Sequence, residues 1–473
     1  MHFDKTHRGR RKKGHGRDNR PKRSVNRGRW SRIKRSLMAK TPPPEEEPFL
    51  FQDMSPLVVE RPDHCLSRKD IDREALKVLY RLKDHGYLAY LVGGSVRDLL
   101  LGKRPKDFDI GTNARPEEVK RLFHYSRIIG KRFRLVHVYF KGGKIVEVST
   151  FRRQCDMADI EIVRNGKPIH EIYGTPREDA FRRDLTINGL FYNIADFSII
   201  DYVGGMEDLR AGIVRTIGEP QRRFLRDPVR MMRAIRHAAR AGFQIENETW
   251  KAIKKHADKI RLCAIPRVRD EWLKDLKAGA SAPWARYMFE SGLMEAVFPT
   301  ISGTLQEVGR EKLISLVTSV LAEVDAIVKD GSQEVSDIFF LSAFALSLLH
   351  YRQEWQALES DRLRWPTSEV RFLIDDIFYP YDFKRADRDM LSRLLSYQWP
   401  IAYCKTRGNW QKRVWNKQLF PEALLLYNCL ARALGEPEAR VVQAKPRKKG
   451  KRRRKKRGNR GPAERTEGKR DET

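Results

Sequence analysis

The stretch Leu91–Thr112 reads LVGGSVRDLLLGKRPKDFDIGT and contains the features that decide the fold. It begins with the end of a short apolar strand, turns at Gly93-Gly94, and continues as a short helix that Gly102 closes. A second strand-like segment, PKDFDI, follows at 105–110. This order of strand, glycine turn, helix and acidic strand predicts a domain that mixes helix and sheet.

Asp107 and Asp109 stand two residues apart in the second of these strands. Because side chains alternate along a strand, this spacing points both carboxylates to one face. Two carboxylates held so close repel each other unless a cation lies between them, and oxygen ligands of this kind suit Mg²⁺. Two such ions can activate a hydroxyl group and stabilise a leaving pyrophosphate. Taken alone, the pair is more typical of a solvated strand edge.

The glycine turn favours the functional interpretation of the aspartates. Gly93, Gly94 and Ser95 precede or open the first short helix, and Arg97 lies in its first turn. Exposed backbone amides at a helix start bind phosphate, and glycine permits close approach of a triphosphate. Arg97 can add a charge-assisted hydrogen bond. A tight strand-to-helix turn is the plain alternative, but glycines, arginine and paired aspartates together are far more specific.

The charge of the chain predicts a polyanionic partner. The net charge is +33, and residues 1–40 hold 16 lysines and arginines against two acids. Residues 445–473 hold 15 against four. Such segments can bind phosphates without sequence preference, although solubility or disorder is the simpler reading of basic tails. The longest apolar stretch, roughly 338–349, is too short to span a bilayer.

Five cysteines without a CxxC pair argue against a zinc or redox motif and fit a reducing compartment. We therefore expect a cytoplasmic monomer with no membrane association. The chain divides into a disordered basic arm and linker at 1–48, a catalytic head at 66–200, neck helices at 201–300, a helical body at 301–440 and a disordered basic tail at 441–473.

Local patterns support this division. Ser67 is predicted to cap a helix that runs to about His85. Two apolar segments around Gly142-Gly143 predict a β-hairpin. From about Phe224 onward, amphipathic helical patterns replace strands.

The quoted stretch resembles the signature of class II nucleotidyltransferases of the polymerase β superfamily, a group that comprises bacterial poly(A) polymerases and tRNA CCA-adding enzymes. The resemblance continues through RRDLTINGLFYN (182–193), DYVGGMEDLRAGIVRTIG (201–218), RFLRDPVRMMRAIRHAARAGF (223–243) and IPRVRDEWLKDLKAG (265–279). It implies an α+β fold in which a five-stranded polymerase β-like head precedes an all-α neck and body. It also implies catalytic, metal-binding aspartates at Asp107 and Asp109.

The resemblance assigns a third catalytic carboxylate to Asp184 and places Arg183 and Asn188 at the nucleotide. Glu147 is the rival for the third carboxylate, because it lies in the adjacent hairpin strand. Asp184 can alternatively be a capping residue that pairs with Arg182 and Arg183.

A helix opening at Asp227-Pro228 carries the remaining predicted contacts. Asp227 is expected as its N-cap and Pro228 as its first residue. Its helical spacing places a cationic stripe on one side and an apolar face on the other. An ordinary solvated basic face is the plain alternative. The resemblance implies that Asp227 and Arg230 read the base of the nucleotide, while the next two arginines of the stripe stack on it or bind phosphate; these are Arg233 and Arg236.

One residue departs from the family pattern. The family usually has Glu-Asp-Pro at this helix start, whereas this chain has Arg226 before Asp227. Selectivity between ATP and CTP is therefore the open part of the prediction.

These observations predict a template-independent poly(A) polymerase that adds AMP from ATP to RNA 3′ ends, with two Mg²⁺ ions. The segment at 130–140 and the Tyr at position 202 resemble the polyadenylating branch of the family more than the CCA-adding branch. The basic tails also favour poly(A) synthesis, because they can hold diverse RNA ends without a fixed tRNA shape. A tRNA CCA-adding enzyme shares the catalytic motifs and is the first alternative. A non-catalytic RNA-binding protein is the second, although the intact aspartates speak against it. An enzyme that modifies small molecules or proteins fits the charge poorly.

Overall fold

A computed structural model describes residues 55–130, 134–153, 173–359 and 363–441. The predicted basic arm and linker, and the basic tail beyond residue 441, lie outside these described residues. The disorder predicted for both segments therefore stays a prediction.

The head is built on a mixed sheet of eight strands in the order β1-β8-β7-β2-β3-β6-β5-β4. Only β3 and β6 are parallel among the pairs of this sheet. The strands are β1 Leu57–Val59, β2 Ala89–Val92, β3 Asp109–Thr112, β4 Ser126–Ile129, β5 Leu135–Tyr139, β6 Ile145–Thr150, β7 Leu190–Asn193 and β8 Ile199–Asp201.

The predicted mixed sheet and the hairpin at Gly142-Gly143 are confirmed, since β5 pairs with β6 in antiparallel register. The sheet is larger than the five strands that the family resemblance implied. Strand β1 extends one edge because Val59 is buried and pairs with Ile199 of β8. The hairpin extends the sheet on the other side, where β4 adds to β5.

Five helices accompany the sheet in the described part of the head. They are α1 Arg73–Asp84, α2 Gly94–Leu100, α3 Pro116–Leu122, α4 Pro176–Arg182 and α5 Gly205–Ala211. The helix predicted from Ser67 to His85 begins later than expected. Ser67 caps only a short 3-10 turn over Arg68–Asp70, and Asp72 caps α1 by accepting from two backbone amides. A carboxylate that binds two amides is the stronger cap, which accounts for the later start.

The rest of the described chain is almost entirely helical, as predicted, with a two-stranded parallel pair of β9 Ile213–Val214 and β10 Gln244–Ile245. The helices are α6 Pro220–Arg226, α7 Val229–Ala241, α8 Asn247–His256, α9 Ile265–Leu276, α10 Ser281–Glu290, α11 Leu293–Val297, α12 Ile301–Val308, α13 Arg310–Asp330, α14 Asp337–Leu349, α15 Gln353–Gln356, α16 Thr367–Ile377, α17 Arg385–Ser396, α18 Gln398–Arg407, α19 Lys412–Trp415 and α20 Phe420–Leu434.

One continuous apolar core runs through the head and the helical part, from Val59 to Ala439. Helix α7 contributes its apolar face to this core, and its other side faces the loop after α4. In the parts of the chain that the structure describes, we found no helix with the length and apolar character needed to cross a bilayer.

Candidate active site

The paired aspartates lie where strand β3 begins. Asp109 is the first residue of β3, and Asp107 lies two residues before it in non-helical chain. Asp107 and Asp109 are exposed, and Phe108 between them is half-buried against the core. Exposure therefore alternates in the way that the predicted same-face arrangement of the carboxylates requires.

The parallel pairing of β3 with β6 places Asp109 opposite Glu147. Residues at paired positions on adjacent strands project to the same face, so their carboxylates are neighbours. Burial by the surrounding protein, followed by the charges of Glu147 and Asp107, raises the pKa of Asp109 to about 6, and Arg183 opposes this rise. Although Asp109 keeps accessible surface, the protein withdraws part of its hydration. The negative charges of Glu147 and Asp107 near the Asp109 carboxylate are thus not fully compensated by Arg183.

Arg183 is the cation that acts on Asp109. Its guanidinium binds Asp179 through Nη2 at 2.9 Å and lies over the ring of Phe191, 5.2 Å from the centroid. Gly93 makes room for it: a Cβ there would stand 2.9 Å from Nη1 of Arg183, and the backbone has φ 71°. Glycine is therefore required at position 93 for two reasons: a side chain there would collide with Arg183, and the backbone adopts a positive φ.

Arg97 lies in a buried hydrogen-bond network and not in an open phosphate-binding turn. Its guanidinium binds Asp98 at 2.7 Å and donates to Oδ1 of Asn188 at 2.6 Å. His237, which sequence reasoning missed, lies 3.0 Å from Nη1 of Arg97. Burial, together with the charge of Arg97, lowers the pKa of His237 well below its ordinary value. Only its place four residues after Arg233 on α7 could have drawn attention to this histidine.

Ser95 is also turned inward, because its Oγ donates to the carbonyl of Val92 at 2.9 Å. Gly94 differs from Gly93. A Cβ at Gly94 would make only ordinary contact, 3.5 Å from Nη2 of Arg97. Contacts of Arg97 and Ser95 with a triphosphate stay predictions, and the structure shows both residues stabilising the turn.

Asp184 is buried, and both of its carboxylate oxygens accept hydrogen bonds. Its carboxylate accepts from Nε of Arg233 at 2.6 Å, from Nδ2 of Asn188 at 3.2 Å and from the amide of Leu185 at 2.9 Å. Although burial raises the pKa of Asp184, Arg233 and its other partners hold it below the ordinary range. The structure thus separates the two rivals for the third carboxylate: Glu147 pairs with Asp109, whereas Asp184 pairs with α7.

The helix expected to open at Asp227-Pro228 begins one residue later. Helix α7 starts at Val229, and Asp227 ends α6 without a side-chain cap of α7, so the N-cap prediction is wrong. The reason is that Oδ2 of Asp227 instead accepts from Arg267 at 2.8 Å. The other oxygen, Oδ1, is buried without a hydrogen-bond partner in the described residues.

Two arginines of α7, Arg230 and Arg236, are mostly buried and bound to protein groups. Arg230 donates to the carbonyls of Arg182 and Arg183, each at 3.0 Å. Arg236 binds Asp275 and also Glu271, at 2.5 Å, and only 10% of its side chain is exposed. Contacts of these arginines with a nucleotide stay predictions. Arg233 differs from them, since 42% of its side chain is exposed while it holds Asp184.

The donor set suits a divalent cation only in part. Across the described ranges, no cluster of three or more His, Cys, Asp or Glu side chains is arranged to hold a metal ion. Protein sites for Mg²⁺ commonly use one or two carboxylates and complete the shell with water and phosphate oxygens. The carboxylates of Asp109 and Glu147, with the raised pKa of Asp109, fit that pattern.

Two protein-family models match the chain. Residues 89–215 match the model described as "Poly A polymerase head domain", and residues 242–304 match "Probable RNA and SrmB- binding site of polymerase A". The first match covers β2, β3, β6 and α4, and hence the carboxylate pair and Arg183. The resemblance seen in the sequence is confirmed, because residues 89–215 are similar to the head domain of poly(A) polymerases.

Individual proteins are similar over longer segments. Poly(A) polymerase I of Salmonella typhi is 43% identical over 303 residues, which are 63% of this chain and 65% of the relative. The CCA-adding enzyme of Lactobacillus helveticus is 40% identical over 206 residues, 43% of this chain and 50% of the relative. The chain thus spans just under two thirds of the poly(A) polymerase it matches.

A solved structure confirms the fold. The crystal structure of the Bacillus stearothermophilus CCA-adding enzyme in complex with CTP aligns with a TM-score of 0.58 and 26% identity. It covers 77% of this chain and 78% of that chain. The predicted α+β architecture, with a mixed-sheet head followed by a helical body, is therefore shared with that enzyme.

Proposed function

We propose that this protein is a template-independent poly(A) polymerase that transfers AMP from ATP to the 3′-hydroxyl of RNA and releases pyrophosphate. The observation that carries this proposal is the pairing of Asp109 with Glu147 on parallel strands beside Arg183. Two carboxylates would hold a divalent ion, and an arginine nearby can bind the phosphates of the nucleotide. The match of this region to a poly(A) polymerase head supports the assignment.

Asp107, Asp109 and Glu147 would hold Mg²⁺ in this enzyme. The bound ion would neutralise charge that develops on the phosphates during transfer. Glu147 replaces Asp184 as the third carboxylate in this proposal, because Asp184 already has three partners. Asp184 would act by positioning Arg233, whose half-exposed side chain remains accessible to the nucleotide.

Base selection is proposed to rest on Asp227. Its unpartnered Oδ1 is an acceptor that an exocyclic amino group of the base would satisfy, while Arg267 fixes the other oxygen. Adenine and cytosine both carry such an amino group. Guanine also carries an exocyclic amino group, whereas uracil has none. Asp227 therefore supports selection of ATP and CTP over UTP, and Arg226 next to it is the residue that departs from the family pattern.

Poly(A) synthesis is favoured over CCA addition by the extent of similarity. The poly(A) polymerase match covers 303 residues, whereas the CCA-adding match covers 206. Four cysteines in the described residues are free thiols, which supports a cytoplasmic enzyme. We take the enzyme to be a monomer with the domain division 66–200, 201–300 and 301–440.

The experiment that tests this function offers the protein two RNAs with Mg²⁺. One is an unstructured RNA, and the other is a tRNA that lacks its 3′ CCA. Each is incubated with ATP, CTP or both, and products are resolved by gel electrophoresis. Long A tails on the unstructured RNA are expected. Addition of C-C-A confined to the tRNA would contradict poly(A) synthesis, and no incorporation on either RNA would favour a non-catalytic RNA-binding protein.

A further inference from the structure

The helical part of the chain contains a pocket of about 370 Å³ that the proposed reaction does not use. It lies between α14, α15, α18 and α20, outside both segments that match family models. Its volume falls within the range of small-ligand sites, roughly 300–1,000 Å³. Four aromatic side chains line it: Trp355, Trp399, Tyr403 and Tyr427.

The aromatic rings are arranged in a way that leaves surface for a ligand. Trp355 is buried and its ring lies 4.5 Å from that of Trp399, measured between centroids. Trp399 and Tyr403 are only half-buried. Arg407 lies over the ring of Tyr403 at 4.7 Å. Aromatic side chains flanked by cations are typical of surfaces on which nucleobases stack.

Gln398 supplies the polar group of the pocket. Gln398 lines the cavity, only 7% of the residue is exposed, and its Oε1 and Nε2 atoms are buried without a hydrogen-bond partner in the described residues. Burial of an amide without hydrogen-bond partners costs free energy, so such a group is expected to form hydrogen bonds with a ligand. A carboxamide presents a donor beside an acceptor, and this pair matches N7 and the N6 amino group of adenine.

The charged residues around the pocket favour an uncharged base over a free anion as the ligand. Glu359 and Glu436 line the pocket together with Arg407. Lys405 lies 3.5 Å from the hydroxyl of Tyr427. Acids and bases in near balance disfavour a phosphate deep in the pocket, whereas Arg407 at the rim can bind a phosphodiester.

We propose that this pocket binds an adenine base of single-stranded RNA. The base stacks on the exposed aromatic surface and is hydrogen-bonded by Gln398, while its phosphodiester lies at the rim beside Arg407. The choice of RNA as the source of the base rests on the proposed function, because an enzyme that makes A tails must hold strands rich in adenine.

The test measures binding of a labelled oligo(A), about 15 nucleotides long, to the full-length protein by fluorescence anisotropy without ATP. Gln398→Met removes both polar atoms but keeps the volume, and Tyr403→Ala removes a stacking surface. Each change is expected to weaken binding by roughly 5- to 150-fold. Gln398→Met should leave the melting temperature unchanged or higher, because no internal hydrogen bond is lost. Tyr403→Phe keeps the ring and should bind nearly as the unchanged protein does.

The matched control is Phe372→Ala, which removes an aromatic side chain from α16 that is 61% exposed and does not line the pocket. Its oligo(A) affinity should not change. Measurement over a range of salt concentrations separates the pocket from the basic tail. Deletion of 445–473 should flatten the salt dependence, whereas the fold-loss in the pocket variants should be the same at every salt concentration.

The outcomes separate this proposal from the proposed function. Undiminished oligo(A) affinity in both pocket variants would overturn the pocket assignment, even if ATP is still incorporated. Weaker oligo(A) binding by those variants, together with no ATP incorporation by the unchanged protein, would support the pocket assignment and refute the proposed polymerase activity. Binding of AMP that Gln398→Met abolishes, with oligo(A) affinity unchanged, would identify a free nucleotide as the occupant and reject RNA.

Discussion

Two acidic regions of the head differ in how the protein compensates their charge. Asp109 is exposed, lies beside Glu147 and Asp107, and has a pKa raised to about 6. Asp184 is buried, has three hydrogen-bond donors, and has a pKa held below its ordinary range. The first carboxylate has more negative than positive charge around it, and the second is already paired with Arg233.

This difference indicates which acid a metal ion would use. An additional cation gains most where negative charges are crowded and uncompensated, and least where an arginine is already bound. Residues Arg183 and Asp184 are neighbours in the chain, yet their side chains serve different regions. Arg183 acts on Asp109, and Asp184 binds Arg233 of α7.

Asp109→Ala gives the strongest test of this comparison. Loss of the proposed metal ligand should lower incorporation of AMP by roughly 10³-fold or more, because metal stabilisation of the transferring phosphate contributes several kcal/mol. RNA affinity should remain. Single-turnover extension of labelled RNA measures the first effect, and anisotropy measures the second. Asp70→Asn, at an exposed acid outside the site, is the control. Normal extension by the Asp109 variant would refute the metal assignment.

Glu147→Gln should have the next largest effect. The substitution keeps the shape but removes one negative charge from the pair, so extension should fall by about 100-fold. The melting temperature should stay nearly constant, since Glu147 is exposed and its partner His137 lies at 3.2 Å on the surface. Extension assays over a range of Mg²⁺ should show a higher Mg²⁺ requirement. An unaltered Mg²⁺ dependence would remove Glu147 from the site.

Asp184→Asn should chiefly affect stability. The amide keeps an acceptor for Leu185 but leaves Arg233 without its partner charge, at a cost of about 2 kcal/mol, reduced because Arg233 is partly exposed. Urea unfolding of this variant, of Arg233→Met and of the double variant measures the coupling energy. Full stability combined with loss of extension comparable to that of Asp109→Ala would restore Asp184 as the third catalytic carboxylate.

The smallest expected effect concerns pH. Because the pKa of Asp109 is about 6 in the folded chain, above its unfolded value, the folded state binds more protons and stability falls as pH rises from about 4 to 6. Asp109→Asn should therefore be more stable than the unchanged protein at pH 7 in EDTA, by less than about 1 kcal/mol given solvent screening. The gain should vanish below pH 4 and when Mg²⁺ is added. Equal stability at pH 7 in EDTA would contradict the uncompensated charge.

The sequence alone was sufficient for the elements that depend on local pattern. The glycine turn, the hairpin at Gly142-Gly143 and the helical second half are encoded by short-range periodicity and turn residues, and each appears where expected. The strand predicted over 105–110 begins only at Asp109, so Asp107 lies before it. The family resemblance was likewise carried by contiguous motifs. Local rules failed at Ser67 and Asp227, where a competing partner decided the cap: Asp72 in one case and Arg267 in the other.

Only the tertiary structure decided which charges meet. Glu147 lies opposite Asp109 because β6 pairs in parallel with β3, and no spacing in the sequence specifies that register. For the same reason Asp184 meets Arg233, Arg97 meets Asn188, and Gln398 lines one pocket together with four aromatic residues. Electrostatic interactions act through space over a few ångströms, whereas sequence patterns report neighbours along the chain.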